Sequence, residues 1–381
     1  MPGRASYPVA IATRNLLHDR VRLAITLVGI AFSVVLILIQ VGVYLGMMAN
    51  TASIIEHADG DIWITARNNR NFDFSLPFPE YRENKAKAVQ GVAWVKKLIL
   101  VWSLMKLKEG GSENVEVVGF DPDSGLGGPW EMVAGEIREV KYHRGVIVDE
   151  SSFSKLGEMR IGDDREILGL RVRVVGICRG AKRITTAPIL FASYKTAQQL
   201  NPRAEERTVF LVVGVAPGED TAAVRDRLRR VMSLEDVYTA GEFSWLTMKY
   251  WTLNTGMGVG FGFTILMGII VGTVIVSQTI YSATIEHLRE FGTLKALGAA
   301  NRTVYGIIVR QALLSGLLGF GIGVAINALV ATLYQRTGLL IVQPWQLFVT
   351  DFALTLAICV TASLISVRRA MQVDPMEVFR A

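Results

Sequence analysis

Four stretches of the chain are apolar almost without interruption, and the pattern between them alternates or turns amphipathic. No charged residue occurs from Leu23 to Ile55, between Lys249 and Glu286, or from Gln311 to Gln335, and residues 344–367 carry a single acid, Asp351. A helix rising 1.5 Å per residue needs roughly 20 such residues to cross about 30 Å of hydrocarbon. The expected spans are therefore 23–49, 253–283, 302–335 and 344–367. The first follows Arg20 and Arg22 and has the basic flank of a secretory signal, but an apolar core of that kind runs only about 7 to 15 residues. This one continues through Val34–Ile39 to Tyr44 and Met48, which predicts an uncleaved transmembrane helix.

Between residues 50 and 252 the period shifts toward two. Asp61–Thr65, Leu98–Leu107, Val115–Val118, Val146–Val148, Arg171–Val175 and Val209–Val213 read as strands bounded by Gly, Asp and Pro. Pro79–Val89 and Thr221–Met232 read as helices, the latter with Val224, Leu228, Val231 and Met232 on one side and Arg225, Arg227, Arg229 and Arg230 elsewhere, a solvated face. Proline and glycine cluster at 121–130, which suggests two lobes divided there. The predicted fold class is an α-helical membrane protein with four transmembrane helices plus an α+β extracytoplasmic domain inserted between helices 1 and 2.

Charge supplies the orientation. Hydrophobic residues make up 51% of the chain and charged residues 19%, and residues 51–250 hold 28 of each sign, so the formal +6 lies entirely outside that region. A nucleic-acid protein would gather its basic excess on a folded domain. Here Arg4, Arg14, Arg20 and Arg22, then Arg289, Lys295 and Arg302, then Arg368, Arg369 and Arg380 flank apolar runs, whereas 336–343 has one arginine. Short loops rich in Lys and Arg stay cytoplasmic. The N-terminal segment 1–22, the connector 284–301 and the tail 368–381 are thus expected in the cytoplasm. The domain 50–252 and the short loop 336–343 are expected on the opposite, extracytoplasmic side of the membrane.

Candidate chemistry is sparse. No phosphate loop of the form G-x-x-x-x-G-K-[ST] and no G-x-S-x-G is present, and His18, His57, His143 and His287 are scattered. Glu56 to Asp61 is one cluster of potential metal ligands, and a turn between helix and strand accounts equally well for its Asp and Gly; Asp121–Gly125 falls short of a calcium loop. Cys178 and Cys359 cannot form a disulfide framework, since the second lies in an apolar run. No catalytic residue, metal or cofactor is expected in this chain. Asp351 could be a proton or substrate group; near the outer edge of its span, with Arg336 and Gln343 close in sequence, it reads as an interfacial anchor. Arg310 should snorkel to the cytoplasmic headgroups. Gly42 and Gly46, Gly268 and Gly272, and Gly319 and Gly323 repeat at fourfold spacing, which lets helix backbones approach in lipid, within one chain or across a dimer.

The connector carries the strongest signal. Ile285, Leu288, Phe291, Leu294 and Leu297 recur at three-residue steps, while Glu286, Arg289, Glu290 and Lys295 fill other positions. One side can lie on lipid and protein and the other face the cytosol. Gly298 can end that helix and Asn301 cap the next. A plain interfacial turn would share these features. The residues Glu286-His-Leu-Arg-Glu-Phe-Gly-Thr-Leu-Lys-Ala-Leu-Gly-Ala299, however, resemble the signature of FtsX/MacB-type (type VII) ABC transporter permeases. Tyr250-Trp251, Gly256, Gly258 and Gly272–Tyr281 are similar to the DevC branch of that family. The tail Arg368-Arg-Ala followed by Asp374-Pro-Met-Glu377 resembles its closing motif, in which Asp374 caps, Pro375 opens and Glu377 completes a short helix. Leu156-Gly157, Ile161–Asp163 and Arg173–Ile177 are looser matches to a MacB-type periplasmic core domain.

The resemblance implies a coupling helix resting on an ABC ATPase, with Glu286, Leu288, Arg289, Glu290, Phe291, Leu294, Lys295, Ala296, Leu297 and Gly298 as the contact. ATP and magnesium would bind in that partner subunit. It further implies a homodimer, a periplasmic membrane-fusion adaptor, contact with membrane lipids, and export of a lipid, glycolipid or other amphiphile. Within the same architecture, a signalling permease that activates a cell-wall hydrolase is the alternative; a membrane-anchored enzyme or receptor is an alternative of another class.

Overall fold

The computed structural model describes residues 20–181, 187–201, 205–286, 293, 301–336 and 340–370. Two compact units divide between Gly46 and Met47 and again between Met257 and Gly258. The first described element, α1 (Arg20–His57), is a 38-residue helix.

The unit from Met47 to Met257 is built on ten strands in one sheet. Their order is β12 (Glu235–Thr239), β1 (Ile62–Ala66), β11 (Phe210–Val215), β3 (Val92–Lys106), β4 (Ser112–Phe120), β9 (Ile189–Ser193), β6 (Gly145–Asp149), β8 (Leu170–Arg179) and β5 (Glu131–Gly135). The tenth, β7 (Asp164–Ile167), pairs with β3 and β8, and β2 (Phe78–Pro79) pairs separately with β10 (Arg207–Thr208). The 15-residue β3 is the spine: it pairs with β11 up to Leu98 and with β4 from Ile99 onward. The expected division into lobes near 121–130 is thereby corrected. The sheet runs on across that segment, and the change of partner falls inside β3, because strand pairing joins residues far apart in sequence.

Alternation along β1 sends Ile62 and Ile64 to one face and Trp63 to the other. The first face is covered by α2 (Arg82–Lys87) and α5 (Thr221–Val231), which bury Ala86, Val224 and Leu228 there. On the second face Trp63, Phe72, Phe210 and Phe243 are fully buried, with Phe72 stacked on Phe210 at 4.8 Å. Two further short helices are α3 (Phe153–Leu156) and α4 (Tyr194–Gln199). The arginines of α5 make specific pairs: Arg227 with Glu219 at 2.8 Å, and Arg225 and Arg229 with Glu242. Glu242 and Thr239 form a reciprocal capping box that starts α6 (Ala240–Asn254).

The second unit holds α7 (Met257–Glu286), α8 (Asn301–Arg336) and α9 (Trp345–Ala370) with the first part of α1. Among the described residues these three helices and α1 are the four long and apolar enough to cross a membrane. The molecule is thus a four-span membrane protein with an α+β domain inserted between its first and second spans.

Candidate functional site: the membrane helices and the coupling connector

Most of the coupling segment, from Leu288 to Phe291 and from Leu294 to Gly298, lies outside the described residues, as does the tail motif around Asp374. Glu286 is described. It is the last residue of α7, its side chain is 59% exposed, and its carboxylate accepts from Arg22 Nη2 at 2.5 Å. The sequence placed Arg22 among topology-setting charges and missed its partner, since nothing local links two residues on different spans.

Small residues on α1 and α7 bring these helices together. Ser33 Oγ donates to the carbonyl of Gly268 at 2.9 Å. A methyl added to Gly272 would stand 2.6 Å from Ser33 Oγ, one on Gly268 2.5 Å from Leu36 Cδ2, and one on Gly29 2.3 Å from Ile275 Cγ2. Along α8, Gly319 and Gly323 occupy the same relation to Ile30 and Val34 of α1, each 2.7 Å from the nearest carbon. Gly316 faces Cys359 of α9, and Phe320 meets Phe352 edge-on at 5.0 Å. Such approach matters in lipid, where van der Waals contact rather than water exclusion holds helices together. Gly29 and Gly316 were missed by the fourfold-spacing criterion, though Gly29 stands at an equally close contact and a methyl on Gly316 would lie 3.0 Å from Cys359 Sγ.

Gly42 and Gly46 do something different from the other pairs. Their face admits the segment 340–343 instead of a helix. A methyl on Gly46 would come 1.9 Å from the Leu340 carbonyl oxygen, and the Gly42 carbonyl accepts from Val342 N at 3.0 Å. Gln343 secures that segment, donating through Nε2 to the Leu38 carbonyl at 3.1 Å and exchanging amide hydrogen bonds with Asn327 at 3.0 and 3.1 Å. The lone Asn327 inside an uncharged run was the readable signal of this pairing.

Asp351 requires a correction. As an interfacial anchor it would be exposed; it is 1% exposed, and both carboxylate oxygens lack a hydrogen-bond partner among the described residues. Gln343, its neighbour in sequence, is committed to Leu38 and Asn327. Arg310 is exposed.

The ligand-like clusters of the α+β domain serve turns. Asp61 accepts from Val215 N at 2.8 Å, while His57 stacks on Trp130 at 4.3 Å and its Nδ1 lies 2.7 Å from the Ser53 carbonyl. Asp121 accepts from Asp123 N and from Lys96 Nζ. Burial alone would raise its pKa, but those bonds and Ser124 more than offset this and hold it below the usual value. Among the described residues no three of His, Cys, Asp and Glu are grouped to hold a metal ion. What the membrane unit offers is close mechanical contact: α1 touches α7, α8 and the 340–343 segment at once.

Comparison with known proteins agrees with this architecture. Residues 23–231 match the MacB-like periplasmic core domain and residues 262–375 the FtsX-like permease C-terminal. An uncharacterized ABC transporter permease of Mycobacterium tuberculosis is 24% identical over 381 residues, covering 97% of this chain and 98% of that protein. One from Methanocaldococcus jannaschii is 25% identical over 235 residues, 58% of each chain. Of solved structures, the periplasmic region of MacB from Actinobacillus actinomycetemcomitans aligns with 48% of this chain and 90% of its own, at 12% identity and a TM-score of 0.38. Fold and family models together define a multi-pass membrane permease. The chain belongs to the FtsX/MacB-type family of ABC transporter permeases.

Proposed function

We propose that this chain carries ATP-driven movement of a separate ABC ATPase, where ATP and magnesium bind, across the bacterial inner membrane to the α+β domain at 50–252. The domain then drives export of a lipid, glycolipid or other amphiphile with a periplasmic membrane-fusion adaptor, as in the DevC branch. The permease works as a homodimer with both termini in the cytoplasm.

One observation carries this reading: α1 is unbroken from Arg22, where it holds Glu286, to His57 beyond the end of its apolar run. Its 38 residues amount to about 57 Å at 1.5 Å each, well over the roughly 30 Å of hydrocarbon. A rod of that length delivers a push at one end to the other. The glycines at 268, 272, 319 and 323 keep it in contact with α7 and α8, so the spans move together. Leu288, Arg289, Glu290, Phe291, Leu294, Lys295, Ala296, Leu297 and Gly298 then form the surface on which the ATPase presses.

The test is a Glu290→Arg/Leu294→Asp double variant of the tagged chain. Loss of the co-purifying ATPase and of its stimulated hydrolysis is expected, and retention of both would refute the docking assignment. Mass spectrometry of lipids and peptides bound to the intact complex identifies the cargo. A membrane-fusion adaptor gene beside this one favours export; a secreted hydrolase gene favours the signalling alternative.

A further inference from the structure

A cavity of about 610 Å³ opens in the α+β domain at the carboxyl ends of the parallel strands β4 and β9, between α2 and the turn before β6. Its size is that of a small-ligand site, roughly 300–1,000 Å³. Six cations line it, Lys87, Lys96, Lys97, Lys141, Arg144 and Lys195, against the carboxylates of Glu83, Asp121 and Asp123.

Ion pairs account for four of the six. Lys96 lies 2.6 Å from Asp121, Lys141 pairs with Asp123, and Lys87 and Lys97 share Glu83 at 2.6 and 3.8 Å. Lys97 also reaches Glu80 at 3.2 Å. Arg144 and Lys195 have no carboxylate partner among the described residues. Arg144 is nonetheless held in place: its Nε donates to Gln199 Oε1 at 3.0 Å, and its outer guanidinium nitrogens have no hydrogen-bond partner among the described residues. It follows His143, and both residues have left-handed backbones, with φ of 55° and 51°. Two successive non-glycine residues in that sparsely populated region mark a turn constrained by its surroundings.

We propose that this cleft binds a phosphate-bearing anion, with Arg144 and Lys195 as the charges that meet it. A phosphate monoester carries close to two negative charges at neutral pH, which matches two uncompensated cations. The planar fork of an arginine matches the oxygens of a phosphate with two parallel hydrogen bonds, as it does those of a carboxylate, so it is the double charge that favours phosphate. The phosphate can come from an anionic lipid headgroup or from a free phosphate. This site goes beyond the export reading and does not depend on it.

Calorimetric titration of the full chain in a neutral maltoside detergent tests the proposal, with inorganic phosphate, dihexanoyl phosphatidic acid and dihexanoyl phosphatidylcholine as probes. Binding of inorganic phosphate or phosphatidic acid is expected, weakening as salt is raised. Arg144→Asn/Lys195→Gln should weaken it about tenfold or more while leaving the melting temperature in place, since Asn tolerates the left-handed backbone. If the double variant misfolds, Lys195→Gln alone, at an exposed position, gives a smaller loss in the same direction. Binding of phosphatidic acid alone identifies a lipid headgroup as the source; equal binding of inorganic phosphate identifies free phosphate. No binding of either probe by the wild type, binding unchanged in the folded variants, or phosphatidylcholine held as tightly as phosphatidic acid overturns the proposal.

Discussion

Arg22 and Glu286, 264 positions apart in the chain, form an ion pair of 2.5 Å that ties the start of α1 to the last residue of α7. Glu286 opens the connector proposed above as the surface on which an ATPase presses. On that proposal a displacement of the connector would reach α1 as well as α7, and α1 is a single helix to His57.

Reversing one charge of this pair should separate stability from coupling. With the side chains 22% and 59% exposed, Arg22→Glu is expected to change unfolding stability by no more than ~1 kcal/mol. ATPase stimulation by the permease should fall, and Arg22→Glu/Glu286→Arg should restore it. Unchanged stimulation in the single variant would remove the pair from the relay.

Glycine positions in the spans should differ sharply in tolerance. Gly46→Ala sets a methyl 1.9 Å from the Leu340 carbonyl oxygen, a backbone atom that cannot swing aside, and should cost about 1–3 kcal/mol as overpacking does. Gly42→Ala meets the side chains of Gln343 and Ile341 at 2.8 Å, which can yield, and should cost less. Gly260→Ala and Gly262→Ala meet nothing within 4 Å and should be neutral or slightly stabilising. Melting of the purified variants in detergent ranks them.

Asp351 is enclosed with neither oxygen bonded among the described residues, an arrangement that opposes folding. Asp351→Leu is expected to leave the melting temperature unchanged or to raise it, by an amount on the order of 1 kcal/mol. A rise accompanied by loss of transport would mark a group retained for function. A loss of several kcal/mol would instead reveal a partner that the carboxylate needs.

The acid limb of stability should depend on Asp164. Hydrogen bonds from Arg173 and then Arg171 hold its carboxyl down at about 2, against an ordinary 3.8. A carboxylate whose folded value is depressed contributes its stability above the unfolded value and loses it as the proton returns. Melting temperature should therefore decline as pH falls from about 4 to about 2 in part through this group. Asp164→Asn should melt lower near neutrality and show a shallower acid limb; an unaltered limb would count against the assignment.

Much of this architecture was legible beforehand and some of it was not. The strands around Ile62, Val117, Ile147, Val172 and Val212 were readable because their apolar residues are β-branched and bounded by turn formers. Glu131–Gly135, Asp164–Ile167, Ile189–Ser193 and Glu235–Thr239 were not. Those strands hold only one or two β-branched residues each and take their stability from neighbours. The helix Ala240–Asn254 also went unread, although Thr239 and Glu242 stand at capping-box spacing. Of the candidate site, the glycines at 268, 272, 319 and 323 could be picked out by spacing, whereas the facing residues Leu36, Ser33, Ile30 and Val34 could not.

Four spans and the alternating character of residues 50–252 could be read from order and composition alone. A bilayer judges each stretch of about 20 residues separately, because backbone polar groups in hydrocarbon must be satisfied within the segment. Which spans touch, what crowds Gly46, where β3 changes partner, that Glu286 is held by Arg22 and that Asp351 is enclosed all required the folded chain. These are relations between residues distant in sequence, set by complementary surfaces that no single segment encodes.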